Sequence, residues 1–309
     1  MIRTNETSSK NNITPCVSVI ITTYRRDEYL RKALQSVIRQ TYQNIEIIVV
    51  DDNADEAWNK KTETIVEQEK LNSEFVIKYI KTDKNLGVAN SRNLGIKESN
   101  GEYITFLDDD DIYLEEKVER QLDDMLNANA DFGITNLYLY NEDDKLVDKR
   151  IHSYIQSTDK MSLLRYHLLY HLTGTDTFMF KSDYIRDIGV FPKINVGDEF
   201  YLMMRAINAG GKICYSPHCY VKAYIHTGEN TGLSSGYGKI KGENNLYREK
   251  KQYFKSLNKR DIRYIKVRHY AVLAYANLRM SKHPAFMVNA LKAVAISPVT
   301  AVKIINNHR

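Results

Sequence analysis

Residues 101–111 read Gly-Glu-Tyr-Ile-Thr-Phe-Leu-Asp-Asp-Asp-Asp, an apolar run that ends in four consecutive carboxylates. The run 103–107 is typical of a buried strand, so the acidic cluster should lie where a sheet ends in solvent. Four adjacent anions repel one another unless water or a cation screens them, and their oxygens suit Mg²⁺ or Mn²⁺. These ions commonly bridge to phosphate oxygens, so the stretch predicts a metal–diphosphate site. The alternative is a solvated acidic turn that caps a helix starting near Ile112.

The hundred residues before this stretch alternate apolar runs with helical patterns. The predicted strands cover 17–21, 45–50, 75–80 and 102–107, and the predicted helices cover 28–40, 55–71 and 88–99. This alternation predicts an α/β fold with a mostly parallel sheet and helices on both faces. Ligands of such sheets bind beyond the carboxyl ends of the strands. The polar clusters 22–24, 51–52 and 108–111 follow strand ends, so we expect them to meet at one edge.

The pattern after the acidic run is less regular. We predict helices over 117–126 and 197–209, and strands over 132–140, 177–180, 212–215 and 220–225. The segment 140–195 carries no diagnostic pattern. A Gly/Ser-rich loop at 226–238 marks the predicted end of a domain spanning 16–238. We expect residues 1–15 to be flexible and residues 239–309 to form a basic helical region.

Composition excludes several classes of protein. The 309 residues include 43% hydrophobic ones, which is enough for a core and excludes global disorder. No apolar stretch reaches membrane-spanning length and the polar N-terminus resembles no signal peptide, so we expect a cytoplasmic protein. The three cysteines form no paired motif and are expected to be reduced. Aromatic–basic and zinc-finger patterns of nucleic-acid binding are absent from the sequence.

Positive charge is concentrated at one end of the chain. Residues 239–309 hold 16 Lys and Arg against three Asp and Glu, so this region carries +13 while the rest carries −8. A basic helical region favours polyanions or the anionic inner face of a cell membrane, with residues 286–305 as the amphipathic part. A dimer interface, and hence a homo-oligomer, is the alternative.

Five short motifs occur in order along the first 200 residues. They are VSVIITTY (17–24), IIVVDDN (47–53), NLGVANSRNLG (85–95), GEYITFLDDDD (101–111) and GDEF (197–200). Together they resemble the motifs of family 2 glycosyltransferases over about residues 16–230. The resemblance implies the Rossmann-like GT-A fold and a metal-dependent, inverting enzyme that uses a nucleotide-sugar donor.

The resemblance also assigns donor-binding residues. Thr22 and Tyr24 would line the nucleotide pocket, and Asp52 would accept the uracil N–H of a UDP-sugar, since a carboxylate offers only acceptors. Arg92 would lie near the donor phosphates, which its planar guanidinium matches. The alternatives are a turn or helix cap for Asp52 and a helix-surface position for Arg92.

The acidic motif and a late histidine would hold the ion. By resemblance, Asp108 faces the ribose, Asp109 lies beside it in the donor site, and Asp110 ligates Mn²⁺ or Mg²⁺. The four acids in a row also allow the motif to run from Asp109 to Asp111. His226 is similar to the histidine that completes metal coordination in several GT-A enzymes, although a lone histidine is more often structural.

Asp198 matches the position of the family's general base, which removes the proton of the acceptor hydroxyl. It also occupies a helix N-cap position, and its neighbour Glu199 is an alternative base. The leading hypothesis is transfer of a sugar from a UDP-sugar to a cell-surface glycan such as capsule, teichoic acid or a lipid-linked oligosaccharide. The alternative is a catalytically idle nucleotide-binding scaffold on the same fold.

Overall fold

The structure is a computed structural model and describes residues 14–194, 196–226 and 236–306. The predicted flexible residues 1–13 and the loop residues 227–235 lie outside these ranges. The strands are β1 (Val17–Thr23), β2 (Ile45–Asp51), β3 (Val76–Lys81), β4 (Tyr103–Asp108), β5 (Ile112–Tyr113), β6 (Phe132–Asn141), β7 (Leu146–Arg150), β8 (Phe178–Lys181) and β9 (Ile213–Ile225). The α-helices are α1 (Glu28–Ile38), α2 (Glu56–Leu71), α3 (Val88–Glu98), α4 (Lys117–Ala128), α5 (Lys160–Tyr170), α6 (Ser182–Asp187), α7 (Asp198–Ala209), α8 (Gly236–Gln252), α9 (Lys259–Arg279), α10 (His283–Ile296) and α11 (Pro298–Asn306).

The described strands form one mixed sheet in the order β3-β2-β1-β4-β8-β6-β9-β5, with β7 paired to β6. Strands β3, β2, β1 and β4 are parallel neighbours, as the strand–helix alternation predicts. Strand β8 runs antiparallel to both β4 and β6, and β9 runs parallel to β6. The predicted α/β fold is confirmed: the first four strands form a continuous parallel block, and β6 and β9 form a second parallel pair.

Both faces of the sheet are buried. Along β1, Ile20 packs into one core while Val19 and Ile21 pack into another, as the twofold alternation of side chains along a strand requires. Helices α1, α2 and α4 cover the Val19 face, and α3, α5 and α7 cover the Ile20 face. The central strands are therefore buried along nearly their whole length and are mostly apolar, and a cluster of polar residues begins where they end.

The register brings the predicted strand ends together. Thr22 pairs with Asp108 across β1 and β4, and Thr23 pairs with Asp51 across β1 and β2. Side chains from three chain-distant segments thus lie at one carboxyl edge of the sheet, the position that the sequence pattern predicts for the site.

Several local elements differ from the sequence expectations. Strand β5 (112–113) follows the acidic run directly, so the helix that the acidic-turn alternative places near Ile112 is not there, whereas the predicted helix over 117–126 is α4. The segment 140–195 contains β7, α5 and α6, none of which the pattern predicts. The two strands expected at 212–215 and 220–225 are one strand, β9, whose pairing with β6 shifts register near Asn136.

The C-terminal helices divide into two groups by their packing. Helices α8 and α9 contribute Leu246 and Ile265 to the same core as the Ile20 face of the sheet. Helices α10 and α11 pack on α9 around a small core that includes Ala293 and Ala301. The expected boundary after residue 238 falls inside α8. Among the described residues, no helix combines the length and the apolar character that crossing a bilayer demands.

Candidate active site

Arg92 lies at the centre of the sheet edge and joins two acidic residues that are 90 positions apart in the chain. Its guanidinium donates from Nη2 to Asp108 Oδ1 at 2.5 Å and from Nη1 to Asp198 Oδ2 at 3.1 Å. Its side chain is only 5% exposed, so it is not a surface arginine. Burial opposes the charge, but the two carboxylates keep the pKa of Arg92 above its ordinary value. The site therefore contains a buried cation held between two acids.

Asp52 fixes the helix that carries Arg92. Its carboxylate accepts the backbone N–H of Leu86 at 2.6 Å and of Gly87 at 2.8 Å, at the N-terminus of α3. An anion is favourable there because the first N–H groups of a helix lack internal partners. Asp52 is 4% exposed, and it also accepts the Thr82 hydroxyl at 3.2 Å. The helix-cap interpretation thus has a structural basis, and the predicted uracil contact stays a prediction.

Three carboxylates meet at the end of β4. Ligand atoms of Asp108, Asp111 and Asp176 lie within 4.8 Å of one another, so one cation could contact all three. Burial raises the pKa of Asp176 to about 7, and the Asp108 charge adds to the effect. Burial and the Asp176 charge likewise hold the pKa of Asp111 well above its ordinary value. These shifts express the repulsion that a divalent ion would relieve, so the oxygen-only donor set fits Mg²⁺ or Mn²⁺.

The predicted metal pair also comes together, beside this group. His226 Nε2 lies 2.9 Å from Asp110 Oδ2, and its Nδ1 lies 3.2 Å from Glu142. Arg26 forms an ion pair with the same Asp110 oxygen. A metal ion on Asp110 and His226 would therefore have to displace the Arg26 guanidinium. This edge of the sheet therefore has two candidate positions for one cation. The sequence predicted the position at Asp110 and His226, and the three-carboxylate group is the other.

Asp109 faces the first strand. It accepts the Thr23 hydroxyl at 2.7 Å and the Tyr24 backbone N–H at 3.3 Å through Oδ2. Burial raises the pKa of Asp109 to about 7, although Arg26 lowers it. Thr22 is buried, whereas the side chain of Tyr24 is 45% exposed at the rim. The Tyr24 ring is thus open for stacking, while Asp109 anchors the loop that carries it.

The two base candidates begin helix α7. Gly197 precedes it with φ of 87°, a conformation that disfavours other residues, and Asp198 is the first helical residue. Burial raises the pKa of Asp198, although the Arg92 charge lowers it. Burial and the Asp198 charge raise the pKa of Glu199, whose Oε2 accepts the backbone N–H of Gly174 at 2.8 Å. For both acids the pKa is shifted upward, which is the direction that favours a general base.

Sequence reasoning missed Asp176 and Arg26, and it placed Thr23 at this edge without assigning its contact. Asp176 accepts the backbone N–H of Asp108 at 2.6 Å and completes the three-carboxylate group. Arg26 neutralises Asp110, and Thr23 anchors Asp109. Asp176 stands alone in the segment TGTDT, so its only signal is that it lies two residues before the apolar strand β8.

This combination of a mixed sheet, an acidic edge and a buried base candidate is that of a GT-A glycosyltransferase. Residues 18–187 match the model of the family described as glycosyl transferase family 2. The chain belongs to that family, and it is a glycosyltransferase.

Curated relatives agree with this assignment. The chain is 30% identical over 236 residues to an uncharacterized glycosyltransferase of Rickettsia prowazekii (strain Madrid E), a match that covers 73% of this chain and 69% of that protein. It is 36% identical over 126 residues to glycosyltransferase GlyA of Streptococcus pneumoniae serotype 4, which covers 41% of this chain but 17% of GlyA. The second match is thus confined to part of a much longer protein.

Solved structures show the same fold. Residues 1–349 of S. aureus TarS in complex with UDP-GlcNAc align with a TM-score of 0.61 at 18% identity, covering 91% of this chain and 81% of that one. Mannosyltransferase PcManGT from Pyrobaculum calidifontis, in complex with GDP-Man and Mn²⁺, aligns with a TM-score of 0.61 at 14% identity, covering 95% and 79%. Identities this low establish the shared fold alone.

Proposed function

We propose that this glycosyltransferase moves a sugar from a UDP-sugar to a hydroxyl of a cell-surface glycan acceptor, with inversion and with the help of Mn²⁺ or Mg²⁺. The observation that carries the proposal is the bridge from Asp108 through Arg92 to Asp198. It fixes a donor-side acid and a base candidate on either side of one buried cation. A donor bound at this edge would lie beside both acids and the Arg92 guanidinium.

The metal would be held by carboxylates at the end of β4. Asp108, Asp111 and Asp176 form one donor set, and Asp110 with His226 forms the other. When bound, the ion supplies Lewis-acid stabilisation of the leaving diphosphate. Arg92, whose charge is permanent, would add to that stabilisation from the protein side.

Asp198 would remove the proton of the acceptor hydroxyl as the oxygen attacks the anomeric carbon. The attack comes from the face opposite the leaving UDP, so the C–O bond to the acceptor forms as the C–O bond to UDP breaks, which inverts the configuration. A carboxylate whose pKa is raised by burial holds a proton better than a solvated one. Glu199 remains the alternative base, although its carboxylate is already tied to Gly174.

Paired variants separate the two base candidates. We expect Asp198→Asn to lower UDP-sugar turnover by a factor of about 10² to 10⁴, the usual contribution of a general base, while UDP binding is retained. Glu199→Gln should retain the hydrogen bond from Gly174 and lower turnover less. The opposite ranking of the two variants would assign the base to Glu199.

The nucleotide is tested by thermal stabilisation with UDP, GDP, CMP and dTDP, each with and without Mn²⁺. Asp52, Thr22 and Tyr24 are the proposed uridine contacts. A shift specific to UDP plus metal is expected, since a ligand that binds only the folded state raises its stability. A larger shift with GDP would be compatible with the proposed transfer reaction but would contradict the uracil contact.

The C-terminal helices support a peripheral contact with anionic lipid, where a lipid-linked acceptor would reside. Helices α10 and α11 expose an apolar face: Met287, Val288, Leu291, Val299 and Val302 are each more than half exposed. Residues 262–309 include eight Lys and Arg and no Asp or Glu. Apolar insertion combined with positive charge suits an anionic membrane surface.

Vesicle co-sedimentation tests this contact. We expect Leu291→Glu to reduce binding to phosphatidylglycerol vesicles about tenfold, because one fully buried leucine contributes roughly 1.5–3 kcal/mol. The matched control is Leu71→Glu, which makes the same change at an exposed leucine of α2. The alternative is that the wild type does not bind vesicles and is a dimer in solution. If Leu291→Glu then dissociates that dimer, the apolar face is a dimer interface.

A further inference from the structure

The turn between β1 and α1 brings Arg26 to the acidic edge, and the proposed reaction assigns this side chain no role. The backbone holds the turn in place: the Tyr24 N–H donates to Asp109 at 3.3 Å, and the Arg25 N–H donates to Asn53 Oδ1 at 2.5 Å. Arg25 has φ of 53°, in the left-handed region that residues other than glycine rarely adopt. Contacts that do not involve the Arg26 side chain therefore set its position.

The Arg26 guanidinium is already bound to a carboxylate of the predicted metal pair. Its Nη1 forms an ion pair with Asp110 Oδ2 and lies 3.7 Å from Asp109 Oδ1. The Arg26 side chain is 27% exposed and the Asp110 side chain 17%, so the pair is partly shielded from water. Burial opposes the charge of Arg26, but the carboxylates of Asp109 and Asp110 keep its pKa above its ordinary value. The guanidinium therefore stays charged and gives Asp110 a cation from the same chain.

The same oxygen of Asp110 also faces the predicted metal-ligating histidine. His226 Nε2 lies 2.9 Å from Asp110 Oδ2. Two neighbouring ligands of an octahedral ion with bonds of about 2.1 Å lie about 3 Å apart, so this spacing fits a shared ion. The Tyr29 ring lies 5.4 Å from the His226 ring and 5.8 Å from the Arg26 guanidinium carbon, so it contacts both groups. Arg26 thus lies at the oxygen through which an ion on Asp110 and His226 would bind.

We propose that Arg26 is a tethered counter-ion for Asp110, and that Mn²⁺ or Mg²⁺ binds there only by displacing its guanidinium. The inference rests on the proposed metal-dependent transfer and adds a control on its metal site. In the metal-free protein the guanidinium relieves the repulsion among adjacent carboxylates, which stabilises the fold. The ion must compete with a cation that cannot diffuse away, so its affinity is lower than its ligands alone would give.

The two candidate ion positions are close enough to act on each other. After burial and the Asp176 charge, the Asp110 charge also raises the pKa of Asp111. An ion at Asp110 would therefore be attracted by the three-carboxylate group as well, but its direct competitor at Asp110 is Arg26. Substitution of Arg26 thus distinguishes an ion at Asp110 from an ion bound by the three carboxylates alone.

The test is calorimetric titration of the full chain with Mn²⁺, without nucleotide. We expect Arg26→Gln to bind Mn²⁺ at least about tenfold more tightly than the wild type, since it removes a charged hydrogen bond that the ion must break. The control is Arg25→Gln, which removes the same charge from an exposed neighbour and measures the long-range effect of charge alone. In an Asp110→Asn background, Arg26→Gln should change the affinity no more than Arg25→Gln does.

Thermal unfolding gives a second readout that is independent of the titration. Without metal, Arg26→Gln should unfold at a lower temperature than the wild type, because Asp110 loses its counter-ion. With saturating Mn²⁺ the two proteins should unfold at the same temperature, because the ion then neutralises Asp110 in both. A difference that persists unchanged at saturating Mn²⁺ would show that the ion does not replace Arg26.

The outcomes distinguish this inference from the proposed function. The inference fails if Arg26→Gln binds Mn²⁺ no more tightly than the wild type, if Arg25→Gln tightens binding equally, or if the gain persists in the Asp110→Asn background. In these cases the proposed function stands, provided that Mn²⁺ strengthens UDP binding by the wild type. Absence of Mn²⁺ binding from both the wild type and Arg26→Gln would overturn the inference. UDP that binds equally with and without Mn²⁺ would count against the metal-dependent reaction itself.

Discussion

Arg92 shows how a single side chain can organise a site from distant parts of the sequence. It is held on α3, and its two partners follow β4 and begin α7. Removing one member of a buried ion pair leaves an uncompensated charge, which costs more than the pair contributes. We therefore expect Arg92→Met to lower the free energy of unfolding by about 3–5 kcal/mol, measured by urea denaturation. Arg39→Met, at an exposed position, is the control; equal stability of the two variants would contradict the bridge.

A substitution at Asp176 is the most direct way to distinguish a metal site from a solvated acidic turn. We expect Asp176→Asn to weaken Mn²⁺ binding at least about tenfold, because it removes one of three charged ligands. The same change removes repulsion from Asp108, so the metal-free protein should unfold at an equal or higher temperature. Calorimetric titration with Mn²⁺ measures the first effect, with Asp183→Asn as an exposed control. Unchanged Mn²⁺ affinity would remove Asp176 from the ion site.

At the scale of elements, the first half of the fold could be predicted because apolar residues recur at regular strand or helix spacing in each segment. Strands β1, β2 and β4 are buried on both faces, and their sequences are mostly apolar over five or more residues. Helix α5 could not be found this way, because it is buried on nearly all sides and has no polar stripe. The strand β7 is exposed throughout and equally lacks a pattern.

The same distinction holds for the candidate site. Residues that directly follow predicted strands, such as Asp52 and Asp108, could be placed at one edge because parallel strands align their ends. Asp176 could not, because its position depends on β8 pairing antiparallel to β4, a connection that no local pattern encodes. The contacts of Arg26 and Asp110 depend on loop conformation and were equally hidden.

A histidine of helix α5 also makes the free energy of unfolding depend on pH. His167 accepts the Leu172 N–H and lies 2.9 Å from the Phe200 carbonyl, so it is neutral and protonated on Nε2. Burial lowers the pKa of His167 to about 3. Below pH 6.5 the unfolded chain gains a proton at this histidine that the folded protein does not, so its contribution to stability is lost as pH falls from 6.5 toward 3.

The expected loss at His167 is roughly 1 kcal/mol between pH 7.5 and 5.5. Urea denaturation at both pH values, compared with His167→Gln, isolates this term from other titrating groups. The glutamine can donate to Phe200 without titrating, so the variant should lose less stability than the wild type. Identical pH dependence of the two proteins would contradict the assignment.

At the scale of the whole molecule, the basic C-terminal region is joined to the sheet domain through a shared core. Leu246 packs against Gly197 at the start of α7, and Arg165 of α5 makes two hydrogen bonds to Asp261 of α9 at 2.6 and 2.8 Å. We expect Leu246→Ala to cost about 2–5 kcal/mol and to lower one common unfolding transition, followed by circular dichroism. Leu278→Ala, at a partly exposed position on α9, should cost far less. Two separate transitions in the wild type would show that the regions fold independently.

The proposed transfer reaction depends on a divalent ion at the acidic edge that would hold the donor diphosphate. The most direct measurement is the affinity of the full chain for UDP by calorimetry, with saturating Mn²⁺ and with chelator. We predict that UDP binds at least about tenfold more tightly with the metal, because a cation held by these carboxylates would attract the diphosphate charge. Equal affinity with and without Mn²⁺ would contradict the claim that this edge is a metal–diphosphate site.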